Sequence, residues 1–131
     1  MHFKINLIFL ELKIVKVERA MVEVVKSFFN SLNLLIVLWL LSAKPRHGYE
    51  IMKEFKRLTG TSLNPGVIYP LLHYLEKEGL AISKWVKEKN KAKRHYRLTA
   101  KGRNLFYRLR RLFREQLRVF TEFLIVNSEH Q

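Results

Sequence analysis

The chain has 131 residues, a length that suits one compact domain with an added helix or two. Its 25 Lys and Arg against 11 acidic residues give a formal charge of +14 and a pI near 10.3, which points to a polyanionic partner, nucleic acid or an anionic membrane surface. Cysteine and aspartate are both absent, which excludes a disulfide framework, a thiolate metal site, a Cys nucleophile and a Ser-His-Asp triad.

The first thirty residues carry apolar side chains at Leu7, Leu10, Ile14, Val17, Met21, Val24 and Phe28, alternating steps of three and four. Such a repeat over roughly three heptads predicts a helix with a coiled-coil seam. Its opening, "MHFKINLIFLELK", is interrupted by Glu11 and Lys13 too early for a signal peptide. Next, "NSL" at 30–32 offers Asn30 or Ser31 as the cap of a separate helix over Leu32–Ala43. That apolar run falls well short of the ~20 residues of a membrane span, so it reads as a buried core helix with Trp39 inside.

Lys44-Pro45 stops this helix. A second is expected over His47–Thr59, with Ile51, Phe55 and Leu58 on one face and Gly60 supplying the left-handed exit. His47, Glu50 and Glu54 share a face at spacings of three and four. They form the nearest approach to a metal site, but a solvated face with Lys53 and Arg57 alongside is the plainer reading, and neither metal nor cofactor is expected. A third helix begins at Asn64 as cap with Pro65 at its first position, or nearer Val67, and ends at Gly79. Ile68, Leu71, Leu72 and Leu75 make its core stripe, while Gly66, Tyr69, Pro70, His73, Glu76 and Lys77 lie opposite. Counted from Asn64, Pro70 forfeits one helical bond, to Gly66.

After Gly79 the period changes to two. "LAISKWVKEK" and "RHYRLT" read as strands joined by the basic turn "NKAK", a β-hairpin with seven basic residues between Lys84 and Arg97 against Glu88 alone. Thr99 then caps a last helix to about Val126, whose stripe of Leu105, Phe106, Leu109, Leu112, Phe113, Phe120, Phe123 and Leu124 is wide enough to want a partner.

Three helices and a hairpin in this order form a winged helix-turn-helix, in which the third helix enters the major groove and the hairpin lies along the backbone or in an adjacent minor groove. Gly66 then permits close approach of the helix N-terminus to phosphate, and the wing lysines supply an electrostatic grip. The fold class is mainly α with a small β-hairpin. Double-stranded DNA is the expected partner, and the chain is not expected to be an enzyme.

The segments "KPRHGYEIMKEF", "NPGVIYPLLHYLEKEGL" and "KRHYRLTAKGRNL" resemble the PadR family of winged-helix transcriptional regulators, in order and at matching separations over about Leu34–Leu105. The resemblance implies a cytoplasmic homodimer that binds a pseudo-palindromic operator, generally as a repressor relieved by a small-molecule effector, without a membrane partner. It implies DNA contacts from Asn64, Gly66, Val67, Tyr69, Pro70, His73 and Lys77 on the recognition helix. His47 and Tyr49 would contribute from the start of the second helix, and Lys84, Lys87, Lys89, Lys91, Lys93 and Arg94 from the wing. It implies dimer contacts from Leu109, Leu112, Phe113, Phe120 and Phe123 of the last helix; the heptad spacing of the N-terminal seam, and not the resemblance, adds Leu7, Leu10, Ile14, Val17 and Met21 by packing against that helix. On this reading residues 1–30 are a helical extension, 31–99 the DNA-binding domain and 100–131 a dimerisation helix.

The chain departs from the family pattern at Val67, where Ser or Thr is common, at Tyr74, where a basic residue is frequent, and in the wing, where Ala92-Lys93-Arg94 replaces Gly-Arg-Pro. A non-specific architectural DNA protein and a peripheral membrane module built on the terminal helices are the alternatives.

Overall fold

The computed structural model describes residues 2–129, with side chains over 6–126. Its elements run α1 (His2–Ala43), α2 (Gly48–Thr59), α3 (Pro65–Lys77), β1 (Ala81–Glu88), β2 (Lys91–Leu98) and α4 (Ala100–Glu129). They group into two compact units, residues 1–34 and 35–131.

Over residues 6–31 of the first unit every side chain is exposed. No helix starts at Asn30 or Ser31, because the Ser31 hydroxyl donates to the Ser27 carbonyl 2.9 Å away, one turn back, instead of accepting from an N–H ahead of it. The expectation of a separate Leu32–Ala43 helix is therefore corrected: α1 is continuous, and Asn6–Ala43 is long and apolar enough to cross a membrane by length and composition, which the shorter run was not.

The second unit holds the core. Val37, Leu38, Leu40 and Leu41 from the end of α1 are buried with Ile51 and Phe55 of α2, Ile68, Leu72 and Leu75 of α3, Tyr96 and Leu98 of β2, and Phe106 of α4. Trp39 is not among them. At 100° per residue the four buried positions of α1 span one side and Trp39 falls opposite, where it is 46% exposed, against the expectation that it would be core. Leu58, in the last turn of α2, is also exposed.

Helix ends follow local chemistry. His47 caps α2 with Nδ1 accepting from the Glu50 N–H, and Gly60 closes it at φ 73°. Asn64 caps α3, its Oδ1 accepting from the Gly66 N–H at 2.8 Å, with Pro65 following, so the earlier of the two expected starts is the observed one.

The hairpin is antiparallel with Ala81 opposite Leu98 and Glu88 opposite Lys91. Its connection is the two-residue turn Lys89–Asn90, both at positive φ, and of the turn expected at 90–93 only Asn90 turns, while 91–93 are the start of β2. An isolated bridge pairs Arg46 with Tyr96, extending the two-stranded sheet on the β2 side.

Candidate nucleic-acid interface

α3 is exposed at Gly66, Val67, Tyr69, Pro70 and His73 while Ile68 and Leu72 sit in the core. Helical spacing accounts for the division: the buried residues share one side, and the side that remains carries the polar and aromatic groups. At Gly66 a Cβ would meet only Asn64 Oδ1, at 3.3 Å, so packing inside the chain does not demand a glycine there. Its open side faces outward beside the positive end of the helix dipole, where phosphate is favoured.

Tyr69 does two things at once. Its ring covers Gly48 so closely that a Cβ at position 48 would come within 2.7 Å of Tyr69 Cε1, yet the side chain stays 42% exposed. The Gly48 of the His-Gly-Tyr-Glu segment thus makes room for the recognition helix to sit against the start of α2. A cleft between these elements and the wing is lined by Tyr49, Tyr69, His73, Trp85 and Lys93, with the aromatic and basic groups together. Trp85, 69% exposed, opens onto this cleft.

Strand pairing sorts the wing residues. Trp85 and Lys87 share a face with Ala92, Arg94 and Tyr96, whereas Lys84, Lys91, Lys93 and Arg97 lie on the other face with His95. Lys89 sits at the turn. The basic residues therefore surround the hairpin instead of forming one stripe.

Arg94 differs from the lysines around it. Its guanidinium donates to both Glu76 carboxylate oxygens at 2.7 and 2.9 Å and to Ser83 Oγ at 2.7 Å, and Ser83 in turn donates to Glu76. This network ties β1 and β2 to α3, so the Arg94 charge is already engaged inside the chain. With Arg94 and Glu76 each about a third exposed, solvent screens the pair. Arg94→Ala is expected to cost about 1 kcal/mol, read as a lowered urea midpoint. An unchanged midpoint would leave the wing held by the core contacts of Tyr96 and Leu98 alone.

At the start of α2, His47 Nε2 lies 2.9 Å from Glu50 Oε1 and the ring is stacked beside Tyr49. Burial lowers the His47 pKa below its usual value, opposed by the Glu50 carboxylate and assisted by Lys93 and His95. Glu54, which sequence spacing placed with His47 and Glu50, is instead bound to Arg57 at 2.8 Å, and that hydrogen bond holds its pKa below the usual carboxylate value. The residue that does join His47 and Glu50 is His95 of β2. Nothing in the sequence marks it, because its position depends on the Arg46–Tyr96 bridge.

Comparisons with known proteins agree with this architecture. A family model described as the transcriptional regulator PadR-like family matches residues 37–108. The transcriptional regulator YqjI of Escherichia coli is 36% identical over 70 residues, which are 52% of this chain and 32% of that protein. The transcriptional regulator Rv3488 of Mycobacterium tuberculosis is 35% identical over 80 residues, 61% of this chain and 64% of that one. The chain thus spans about a third of the first relative and just under two thirds of the second. Among solved structures, a PadR-like transcription factor from Bacteroides fragilis superposes with a TM-score of 0.64 at 23% identity, over 76% of this chain and 97% of that one. A PadR family transcriptional regulator from Eggerthella lenta gives 0.62 at 25%, over 80% and 96%. With more than half of its length matched by the family model on a winged-helix framework, the protein belongs to the PadR-like family of transcriptional regulators.

Proposed function

We propose that the protein is a cytoplasmic homodimer that binds a pseudo-palindromic operator in double-stranded DNA and acts as a repressor, with a small molecule as the expected effector. The observation that carries the DNA reading is the cleft where the exposed side of α3 meets Tyr49, Trp85 and Lys93. It sets the exposed side of a helix, hydrogen-bonding aromatic groups and a lysine side by side, the combination that duplex recognition uses. In support of the dimer, Leu112, Phe120, Phe123 and Leu124 of α4 are at least half exposed, as are Leu7, Leu10, Ile14, Val17 and Met21 of α1. Leu109 and Phe113 are half-buried within the chain. Apolar surface of this extent is the mark of an interaction site.

In a dimer whose recognition helices sit about one DNA turn apart, ~34 Å, Tyr69 enters the groove from each protomer. Tyr69→Ala is expected to reduce specific affinity by about 1–3 kcal/mol while leaving random-DNA binding nearly unchanged. Binding of genomic fragments, including DNA upstream of the protein's own gene, in ~0.15 M salt with excess random DNA tests the whole reading. A discrete footprint supports it, whereas uniform retention of every fragment would replace it with an architectural role.

A membrane-surface reading has one observation in its favour, the length and apolar character of Asn6–Ala43. Against it, Val37, Leu38, Leu40 and Leu41 of the same helix are buried in the winged-helix core. Co-sedimentation with anionic liposomes that survives added competitor DNA would favour the membrane.

A further inference from the structure

We propose that His47, Glu50 and His95 form a binding site for a divalent transition-metal ion of the zinc class. His47 and Glu50 stand three apart at the start of α2, and His95 comes from β2. The bridge between Arg46 and Tyr96, in which each N–H donates to the other's carbonyl at 3.0 and 2.8 Å, places positions 47 and 95 side by side. The two imidazoles meet edge to face with centroids 5.2 Å apart. One ligand atom from each of the three residues lies within 4.8 Å of the others. A tetrahedral ion with bonds of about 2.0–2.2 Å holds its ligand atoms roughly 3.3–3.6 Å apart, so side-chain movements of about an ångström would close the site.

A second observation points to a ligand. His95 Nε2 is buried and makes no hydrogen bond, the one side-chain nitrogen or oxygen among the described residues in that condition. The side chain is 11% exposed, and Glu88 Oε1 lies 3.5 Å from Nε2 without a bonded geometry. Buried polar atoms are otherwise almost always partnered, and an ion between the two histidines would satisfy this one.

Donor chemistry selects the class of ion. Two imidazoles and one carboxylate suit Zn2+, Co2+ or Ni2+, while Mg2+ and Ca2+ prefer all-oxygen sites and copper(I) prefers the thiolates that this chain lacks. Three protein ligands leave a fourth position for water. The proton balance is simple. In the structure His47 Nδ1 accepts from the Glu50 N–H at 3.3 Å, so Nε2 carries the ring proton toward Glu50. Ligation at Nε2 moves that proton to Nδ1, the ring stays neutral, and the long capping bond is exchanged for a metal bond. An occupied site would fasten β2, and with it Lys91 and Lys93, to the helix pair, making the set of the wing dependent on metal.

The test uses the full-length protein without an affinity tag, stripped by chelator and titrated with Zn2+, and separately with Co2+ for its visible absorption. Expected are one ion per chain, a rise in melting temperature with Zn2+, and a Co2+ spectrum of a low-coordinate nitrogen and oxygen site. Loss of a single outer partner of a metal ligand weakens binding about 10–100-fold, so His95→Gln and Glu50→Gln are each expected to lose at least about tenfold. Melting without metal establishes that the variants fold. Should His95→Gln fail there, Glu50→Gln, at a partly exposed position, carries the test. The proposal is overturned if the wild-type chain takes up no stoichiometric ion, or if the folded variants bind as tightly as the wild type.

Discussion

Raising the salt from about 50 to about 200 mM is expected to weaken operator binding by three or more orders of magnitude. Lys84, Lys87, Lys89 and Lys91 are exposed on the wing and Lys93 is half-buried beside the recognition helix. In the proposed dimer two wings would bring the number of cations near phosphate into the range where counterion release gives a loss of ~10³–10⁵ over that interval. The slope of log affinity against log salt follows from about 0.9 per phosphate neutralised. Lys91→Ala, present in both protomers, should flatten it by about two. It should also weaken specific and random DNA alike, in contrast with Tyr69→Ala. A fluorescence-anisotropy titration at four salt concentrations measures the slope. A nearly flat line would remove the wing from the DNA interface and leave recognition to α3.

Gly102→Ala is expected to destabilise the fold by about 3 kcal/mol, at the upper end of the cost of overpacking. A Cβ built at Gly102 falls 2.0 Å from the Leu80 carbonyl oxygen. That oxygen already accepts from the Thr99 N–H at 3.0 Å, and the Thr99 hydroxyl accepts from the Gly102 N–H while donating to the Gly79 carbonyl. The first turn of α4 is therefore clamped onto the beginning of β1 through backbone that has no room to yield. Inserting a methyl group must push the helix off the strand or break the cap. Urea denaturation should show the loss as a lower midpoint with an unchanged slope. Gly66→Ala is the comparison, since a Cβ there meets only the Asn64 side chain, with Oδ1 at 3.3 Å, and its expected loss of stability is smaller than that of Gly102→Ala because a side chain yields more readily than backbone. Equal stability of Gly102→Ala and wild type would mean that α4 docks on the wing differently from the geometry described.

Both results bear on how the chain encodes its fold. The caps and stops were legible because each depends on a few adjacent residues: Asn64-Pro65 opens α3, Gly60 closes α2, and the change from period 3.6 to period two at Gly79 marks the hairpin. Where two local signals compete, reading by residue type went astray. Ser31 resembles a cap, but its hydroxyl bonds back along α1, and Lys89–Asn90 turns the hairpin ahead of the more conspicuous basic run. Trp39 was assigned to the core by the company it keeps in an apolar run, although a core can receive only one side of a helix end.

The sequence by itself determined α2, α3, α4 and the hairpin, the winged-helix order, the strongly positive charge and the family, since periodicity, capping chemistry and short motifs are properties of neighbouring residues. Tertiary structure alone decided that Arg94 would be held by Glu76 and Ser83, that Gly48 would receive the ring of Tyr69, and that His95 would stand beside His47. Periodicity specifies which side of an element turns inward but not which element it meets. That choice rests on backbone pairing such as Arg46 with Tyr96, between residues far apart in the chain whose side chains carry no mark of one another.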